Sequence, residues 1–141
     1  DADDTFVGLA TTDTMTNKTA SGMVVTGAAP ATPVANVLYA DSVVKGWCTL
    51  SGATWTISDD LNVSSITDNG VGDFTINWAT AFANATYAVV GVPIVADAVA
   101  TTIQEITTTA KSTTVVRMAV GRDGVGAYDP TGVSVLAIGD M

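Results

Sequence analysis

The sequence predicts an all-β protein, an antiparallel, jelly-roll-like β-sandwich of about eight strands with an extended N-terminal arm. Its 141 residues include 23 Thr and 20 Val but only five Leu, one Glu and one Gln. Branching at Cβ favours extended backbone, whereas the straight-chain residues that favour helices are scarce. From Val43 onward, short β-type runs alternate with turn signals at a spacing of roughly 8–12 residues, which is typical of sandwiches. Phe74, Ile76 and Trp78 alternate with other residues at the period of a strand that buries one side.

Two regions of different character divide the chain. Residues 1–40 are the predicted arm and linker: 1–22 are polar and rich in Thr, and the rest contains two prolines among small residues. A polar segment of this kind cannot bury a core, so we expect either a solvated arm or a strand that pairs with another chain. Residues 41–141 are the predicted head domain. The chain begins with Asp1 and not with Met, which leaves its full length open.

Eight strands are predicted in the head domain. They lie near residues 43–50, 54–58, 61–67, 74–80, 87–95, 101–107, 113–120 and 133–138. Residues 68–73 contain Asn-Gly and a second Gly, which adopt positive φ readily and therefore predict a hairpin. The predicted core consists of Trp47, Leu50, Ile57, Val63, Ile66, Phe74, Ile76, Trp78, Tyr87, Val89, Val116, Val135 and Ile138.

The acidic charge and the missing residue types exclude several classes of function. Thirteen Asp and one Glu against three Lys and two Arg give a net charge of −9, so we expect neither a nucleic-acid nor a membrane partner. No apolar stretch reaches the roughly 20 residues of a membrane span. There is no His, and Cys48 is the only cysteine, which excludes an internal disulfide and sites built on His or several Cys. We expect Cys48 to be a buried, inert thiol, and no cofactor.

Carboxylates remain as candidates for catalysis or metal binding, and their spacing favours neither. Asp59 and Asp60 are adjacent in sequence and would point to opposite faces of a strand, so without a turn between them they do not converge on a sugar as in a hydrolase. Asp68 and Asp73 flank a turn with only a passing likeness to a calcium loop, because the regular order of ligands and the distal Glu are missing. The sequence predicts a protein that is not an enzyme and binds no metal ion.

A few positions are candidates for surface recognition. Trp55 is the candidate for an exposed aromatic ring that stacks on a sugar, although packing in the core or against another subunit is the favoured alternative. Asp68, Asn69 and Asp73 are the polar candidates in the hairpin. A host-surface glycan is the ligand that such a set would fit.

Several stretches of the sequence resemble virion proteins of tailed phages. Residues 13–19, which read D-T-M-T-N-K-T, are similar to the T-L-T-N-K-T motif of tail-fibre and other appendage proteins. Residues 45–47 and 62–78 resemble a domain common in phage virion proteins, whose usual form reads K-A-W-V-x-F-x-G and then N-V-S-S-I-T-D-N-G-x-G-D-Y-T-V-x-F. Residues 85–91 and 133–139 are similar to the A-x-Y-x-V-x-G and V-S-V-x-x-x-G strands that follow in that domain.

The resemblance implies a non-enzymatic structural protein of the virion surface, commonly homotrimeric, such as a tail-fibre subunit with an exposed head. Its partners would be further copies of the chain and other capsid or tail proteins. A capsid decoration protein of the cement or head-fibre type and a receptor-binding tip for a host glycan are alternatives, and a bacterial adhesin is a more distant one. The chain departs from the usual pattern at residues 48–50 and at Trp55, which could alter a surface contact. The assembly arm would include Thr14, Thr16, Asn17, Lys18 and Thr19.

Overall fold

The computed structural model describes residues 42–52, 54–95 and 104–141, without the side chains of residues 104 and 105. This part of the chain contains nine strands, and it contains no helix long and apolar enough to cross a membrane. The strands are β1 Val44–Ser51, β2 Thr56–Leu61, β3 Val63–Gly70, β4 Asp73–Trp78, β5 Ala88–Ile94, β6 Gln104–Lys111, β7 Val115–Arg122, β8 Gly126–Ala127 and β9 Gly132–Ile138. The predicted assembly arm, with Thr14, Thr16, Asn17, Lys18 and Thr19, lies outside the described residues.

The strands form two antiparallel sheets that pack as a β-sandwich. The four-stranded sheet has the order β2-β1-β9-β5, and the five-stranded sheet has the order β3-β4-β7-β6, with β8 paired to β7. Four connections, β1–β2, β3–β4, β6–β7 and β7–β8, stay within one sheet, whereas β2–β3, β4–β5, β5–β6 and β8–β9 cross to the other. The predicted all-β sandwich is confirmed, and each predicted strand has its counterpart. The short strand β8 was not predicted, because its two residues lie in a stretch rich in turn signals.

A single residue, Asn62, carries the chain from β2 in one sheet to β3 in the other. Its φ of 63° lies in the left-handed region, which Asn tolerates better than most residues. The Asn62 side chain holds this corner against Thr80, because Oδ1 accepts a hydrogen bond from the Thr80 backbone nitrogen at 2.7 Å and Nδ2 donates to the Thr80 carbonyl oxygen at 3.1 Å. Asn62, the first residue of the motif at residues 62–78, is therefore a residue that stabilises this corner.

The core lies between the two sheets and is formed by alternate residues of their inner faces. Its buried hydrophobic side chains are Cys48, Leu50, Trp55, Phe74, Ile76, Trp78, Phe82, Tyr87, Val116, Met118, Val120, Val133, Val135 and Ala137. Of the predicted core, Leu50, Phe74, Ile76, Trp78, Tyr87, Val116 and Val135 are buried, and Ile57, Val63, Ile66 and Val89 are half-buried and pack against them. The expected burial of Cys48 is also confirmed, at 1% exposed.

The prediction that Trp47 and Ile138 belong to the core is wrong. Both are half-buried and point away from the core, because successive side chains of a strand alternate between faces. On β1 the alternation is fixed by Gly46, which lies under the ring of Trp78: a Cβ atom at Gly46 would approach Cζ3 of Trp78 to 2.7 Å. Because Gly46 faces inward, Cys48 does too, and Trp47 faces outward.

Candidate assembly surface

The outer face of the five-stranded sheet is polar, and its side chains bond to one another. Asn77 on β4 donates from Nδ2 to the carbonyl oxygen of Ser65 at 3.3 Å and to Oγ1 of Thr67 at 3.2 Å, both on β3. Asn69 donates to Oγ1 of Thr75 at 2.9 Å in the same way. Such cross-strand pairs stabilise a sheet whose outer face is solvated. The amide groups of Asn69 and Asn77 therefore have their hydrogen-bond partners within the sheet.

The predicted hairpin between β3 and β4 is confirmed, and its turn consists of the two residues that follow Asn69-Gly70. Gly70 pairs with Asp73 across the strands, so Val71 and Gly72 form the two-residue turn. The φ values of Gly70 and Gly72 are 121° and 68°, which explains why both positions are glycine. Asp68 accepts a hydrogen bond on Oδ1 from the Gly70 backbone nitrogen at 2.9 Å, so its carboxylate serves the hairpin itself.

The other two polar candidates of the hairpin, Asn69 and Asp73, also bond within the protein. Arg117 donates from Nε to Oδ1 of Asp73 at 2.9 Å and from Nη2 to Oδ2 at 2.5 Å. This hydrogen bonding lowers the pKa of Asp73 from its ordinary value of 3.8, burial opposes it, and the Asn69 amide lowers it further. Asp73 is thus held ionised by a cation. Asp68, Asn69 and Asp73 lie together at the surface, and each has a local hydrogen-bond partner.

Trp55 is in the core and does not lie on that surface. Its side chain is 3% exposed, and its ring packs against Phe74 with the ring centroids 4.4 Å apart. Its backbone nitrogen donates to the carbonyl oxygen of Gly52 at 2.9 Å, and its φ is 48°, a conformation that turns the bulky side chain inward from a tight turn. The hypothesis that Trp55 is an exposed recognition residue is therefore wrong, and packing in the core, one of the two favoured alternatives, is confirmed.

The outer face of the four-stranded sheet is apolar, unlike its counterpart on the other sheet. A row of four apolar side chains crosses the whole sheet, one from each strand, because the residues are paired directly: Leu61, Trp47, Leu136 and Val90. Further apolar side chains follow Val90 along the edge strand β5. The exposed fractions are 45% for Leu61, 60% for Val90, 62% for Val92 and 40% for Ile94. We call the following six residues the apolar face: Leu61, Trp47, Leu136, Val90, Val92 and Ile94.

An open groove of about 380 Å³ lies on the apolar face. The outward-facing residues that line it are Trp47, Leu136, Val90 and Val92, together with Thr49 and Ser134. Covering a Val or Leu side chain contributes roughly 1.5–3 kcal/mol, so an exposed row of them is a favourable place for contact. Contiguous apolar surface of this kind marks contacts with other proteins or ligands.

Among the described strands of this sheet, charged side chains lie beside the apolar face only at its border. Asp59 on β2 is paired with Thr49, on one side of the row that contains Trp47. Lys45 lies on the other side of that row, at the irregularity of β1 between Val44 and Gly46. The remaining outward positions of the four strands are apolar, Gly, Ser or Thr. Of the acidic groups in these four strands, only Asp59 lies beside the apolar face, and it is at the border.

The sequence analysis missed the apolar face, although β5 carries a signal for it. Ala88–Ile94 reads A-V-V-G-V-P-I and has no polar residue at any position. A strand with one solvated side alternates apolar and polar residues, whereas an uninterrupted apolar strand is typical of cover on both faces. Applied to β5, this rule would have indicated a covered outer face.

The remaining carboxylates and the thiol have structural surroundings. Oδ1 of Asp59 accepts from the backbone nitrogen of Asp60 at 2.9 Å, and Oδ2 of Asp60 accepts from that of Val63 at 3.1 Å. Burial, with a smaller contribution from the charge of Asp60, raises the pKa of Cys48 to about 12, which keeps the thiol protonated and unreactive. Over residues 42–52, 54–95 and 104–141, no three His, Cys, Asp or Glu side chains are grouped so that they could hold a metal ion.

Comparisons with known proteins do not assign the chain to a family. No protein-family model, no curated protein and no solved structure matches the chain. The resemblance to phage virion proteins therefore rests on the motifs themselves. In the fold, residues 62–78 form the Asn62 corner and the hairpin of β3 and β4, and residues 45–47 lie in β1 beside the apolar face.

Proposed function

We propose that the protein is a non-enzymatic structural subunit of a tailed-phage virion, a homotrimeric fibre or other appendage subunit on the particle surface. In this proposal residues 1–40 attach the subunit and hold three copies together, and residues 41–141 form the exposed head. The motifs at 13–19 and 62–78 support the virion assignment, and the apolar face supports a role in an assembly.

The apolar face is the structural observation that carries the proposal. Sites for small ligands are usually concave and combine apolar walls with a few convergent polar groups. The face here is the outside of a sheet, and its groove is lined mainly by apolar side chains such as Trp47, Val90 and Leu136. An apolar centre with charge only at its border is typical of contacts between proteins.

The carboxylates support a protein without catalytic chemistry. A catalytic acid usually lies in a cleft and has its pKa shifted towards neutrality. The pKa of Asp73 is shifted the other way by Arg117, and the carboxylates of Asp60 and Asp68 accept hydrogen bonds from nearby backbone nitrogens. These groups stabilise turns and strand pairs.

The two alternatives fare differently against these observations. A receptor-binding tip for a host glycan loses its aromatic candidate, because Trp55 is buried. A capsid decoration protein would need the same arm and a similar contact surface, so it differs from a fibre subunit mainly in copy number.

The copy number per particle tests the proposal. Particles released from cells that encode the chain are purified, and the chain is quantified by mass spectrometry against the major capsid protein, with an abundant host protein as the background control. We expect a few tens of copies or fewer, in multiples of three. Hundreds of copies would favour capsid decoration, and a chain at or below the background would refute a virion role.

Removal of the arm tests how the subunit attaches. We expect a variant without residues 1–22 to keep the β-type circular dichroism of the full chain but to be lost from purified particles. Full incorporation of the truncated variant would contradict the role proposed for the arm.

A further inference from the structure

We propose that a second copy of this chain packs on the apolar face, so that the heads of the assembly contact each other through their four-stranded sheets. This inference rests on the homo-oligomer of the proposed function and names where its heads meet. It is a separate claim, because residues 1–40 could hold three copies together without any contact between the heads.

The shape of the apolar face fits a second sheet better than a single extended segment. Its side chains extend in two directions, across all four strands through Trp47 and along the edge strand from Val90 to Ile94. One strand lying on the face would cover only one of these directions. The four-stranded sheets of the neighbouring copies, with their apolar faces towards the axis of the trimer, would cover both.

The distribution of charge favours a copy of the same chain over a basic partner. With a net charge of −9, two copies repel each other wherever their acidic surfaces meet. Within the described strands, the only charges next to the apolar face are Lys45 and Asp59, one of each sign, and both are at its border. Two copies can therefore approach here without burying like charges, whereas a basic partner would be attracted to the acidic surfaces elsewhere.

The size of the face fits a contact between copies that are already tethered. Four strands of about seven residues span roughly 19 Å by 23 Å, or about 440 Å² in projection. A stable interface between independent proteins takes about 800 Å² from each partner. The face alone would hold free copies weakly, but a tether such as the arm raises their effective concentration so that the contact forms.

Single cysteines measure whether the face is covered in the full-length oligomer. The native Cys48 does not interfere, because its thiol is buried and its pKa is about 12. Val90→Cys and Val92→Cys probe the face at valines that are 60% and 62% exposed in the single chain. Val71→Cys and Val125→Cys are the matched controls, at turns of the other sheet where valine is 62% and 63% exposed. Each full chain is labelled with a maleimide, the rate is followed by mass spectrometry, and light scattering gives the oligomeric state in the same buffer.

The proposal expects both face variants to react about tenfold or more slowly than both controls in the oligomer, and at the control rate once it dissociates. Equal rates at all four positions in a trimer would overturn the inference and leave the proposed function intact. A face that is open in the isolated trimer but protected in purified particles would also overturn it, because another virion protein would then provide the cover. A chain that is monomeric at every concentration would overturn both the inference and the proposed trimer.

A charge placed in the contact gives an independent readout. In the Val92→Cys background, addition of Val90→Asp should raise the labelling rate to that of the controls, because a carboxylate cannot be buried there without a partner. Addition of Val125→Asp, the same change outside the face, should leave labelling slow. Slow labelling that persists with Val90→Asp would overturn the inference.

Discussion

The indole nitrogen of Trp78 donates a hydrogen bond to the phenolic oxygen of Tyr87 at 3.0 Å inside the sandwich. The Tyr87 hydroxyl donates in turn to the carbonyl oxygen of Val115 at 3.1 Å, and burial raises the pKa of Tyr87, which keeps that proton in place. Phe82 stacks on the Tyr87 ring with the centroids 3.9 Å apart. Trp78 ends β4, Val115 begins β7 and Tyr87 directly precedes β5, so these bonds connect the two sheets.

Tyr87→Phe should destabilise the protein although it keeps the ring. The change leaves the indole nitrogen of Trp78 without its acceptor, whereas the carbonyl oxygen of Val115 keeps its bond from the Ser112 backbone nitrogen. An unsatisfied buried polar group costs about 1–3 kcal/mol. We expect a loss of that size in the free energy of unfolding, measured with urea. Tyr128→Phe, which removes the hydroxyl of a tyrosine outside this cluster, is the control. Equal stability of the two variants would contradict a structural role for the Tyr87 hydroxyl.

Much of the fold could be predicted because its signals are local. Phe74, Ile76 and Trp78 alternate at the period of a strand and all three are buried, and two glycines mark the hairpin before them. Which residues of β1 point into the core could not be predicted in the same way. Trp47 and Leu50 are an odd number of residues apart, so they lie on opposite faces of the strand. Which of them faces inward depends on Gly46, which lies under Trp78 in a contact between the two sheets.

The candidate surface could be predicted only in part, because exposure depends on tertiary structure. Asp68, Asn69 and Asp73 lie at the surface as expected, since turn residues of a hairpin have nowhere else to go. Trp55 is buried because a left-handed backbone turns it onto Phe74, which no local pattern signals. The apolar face arises only when four strands come together, and its members are separated by up to 89 residues in sequence, from Trp47 to Leu136.

The two tryptophans on either side of the four-stranded sheet should respond differently to truncation. Trp55→Ala removes a buried ring from the core and should lower the free energy of unfolding by about 3–5 kcal/mol. Trp47→Ala removes a half-buried ring from the outer face and should cost about 1 kcal/mol in the single chain. Urea unfolding at low protein concentration, where association does not contribute, measures both values. A loss at Trp47 as large as that at Trp55 would contradict the outward placement of Trp47.

Gly72 should tolerate alanine much less well than another glycine with a similar backbone. The φ values are 68° for Gly72 and 74° for Gly124, and a left-handed conformation costs an alanine about 1–2 kcal/mol at either position. At Gly72 a Cβ atom would also meet the carbonyl oxygen of Val120 and approach the backbone nitrogen of Tyr128 to 2.7 Å, whereas nothing lies within 4 Å at Gly124. We therefore expect Gly72→Ala to lower the urea midpoint further than Gly124→Ala. Equal midpoints would contradict this prediction, because the backbone around Gly72 would then accommodate a Cβ atom without a loss of stability.

The ion pair of Asp73 and Arg117 should make stability depend on pH in the acidic range. The Arg117 hydrogen bonds lower the pKa of Asp73 in the folded protein, so the folded state binds fewer protons than the unfolded state as Asp73 titrates. The stabilisation is therefore complete above the ordinary pKa of 3.8 and is lost as the pH falls through the lower native value. We expect its size to be small and to fall with salt, because the Arg117 side chain is 48% exposed.

Arg117→Gln tests the cause of this shift at the carboxyl group itself. Without the guanidinium, the pKa of Asp73, followed by the chemical shift of its carboxyl carbon, should rise towards 3.8. Arg122→Gln removes the other arginine of the chain and should leave the titration of Asp73 unchanged. The acid-side loss of stability attributed to Asp73 should shrink in the first variant and not in the second. An Asp73 titration that is the same in the wild type and in Arg117→Gln would contradict the assignment, because the shift would then have to come from the Asn69 amide, which donates to Oδ1 of Asp73 at 3.2 Å.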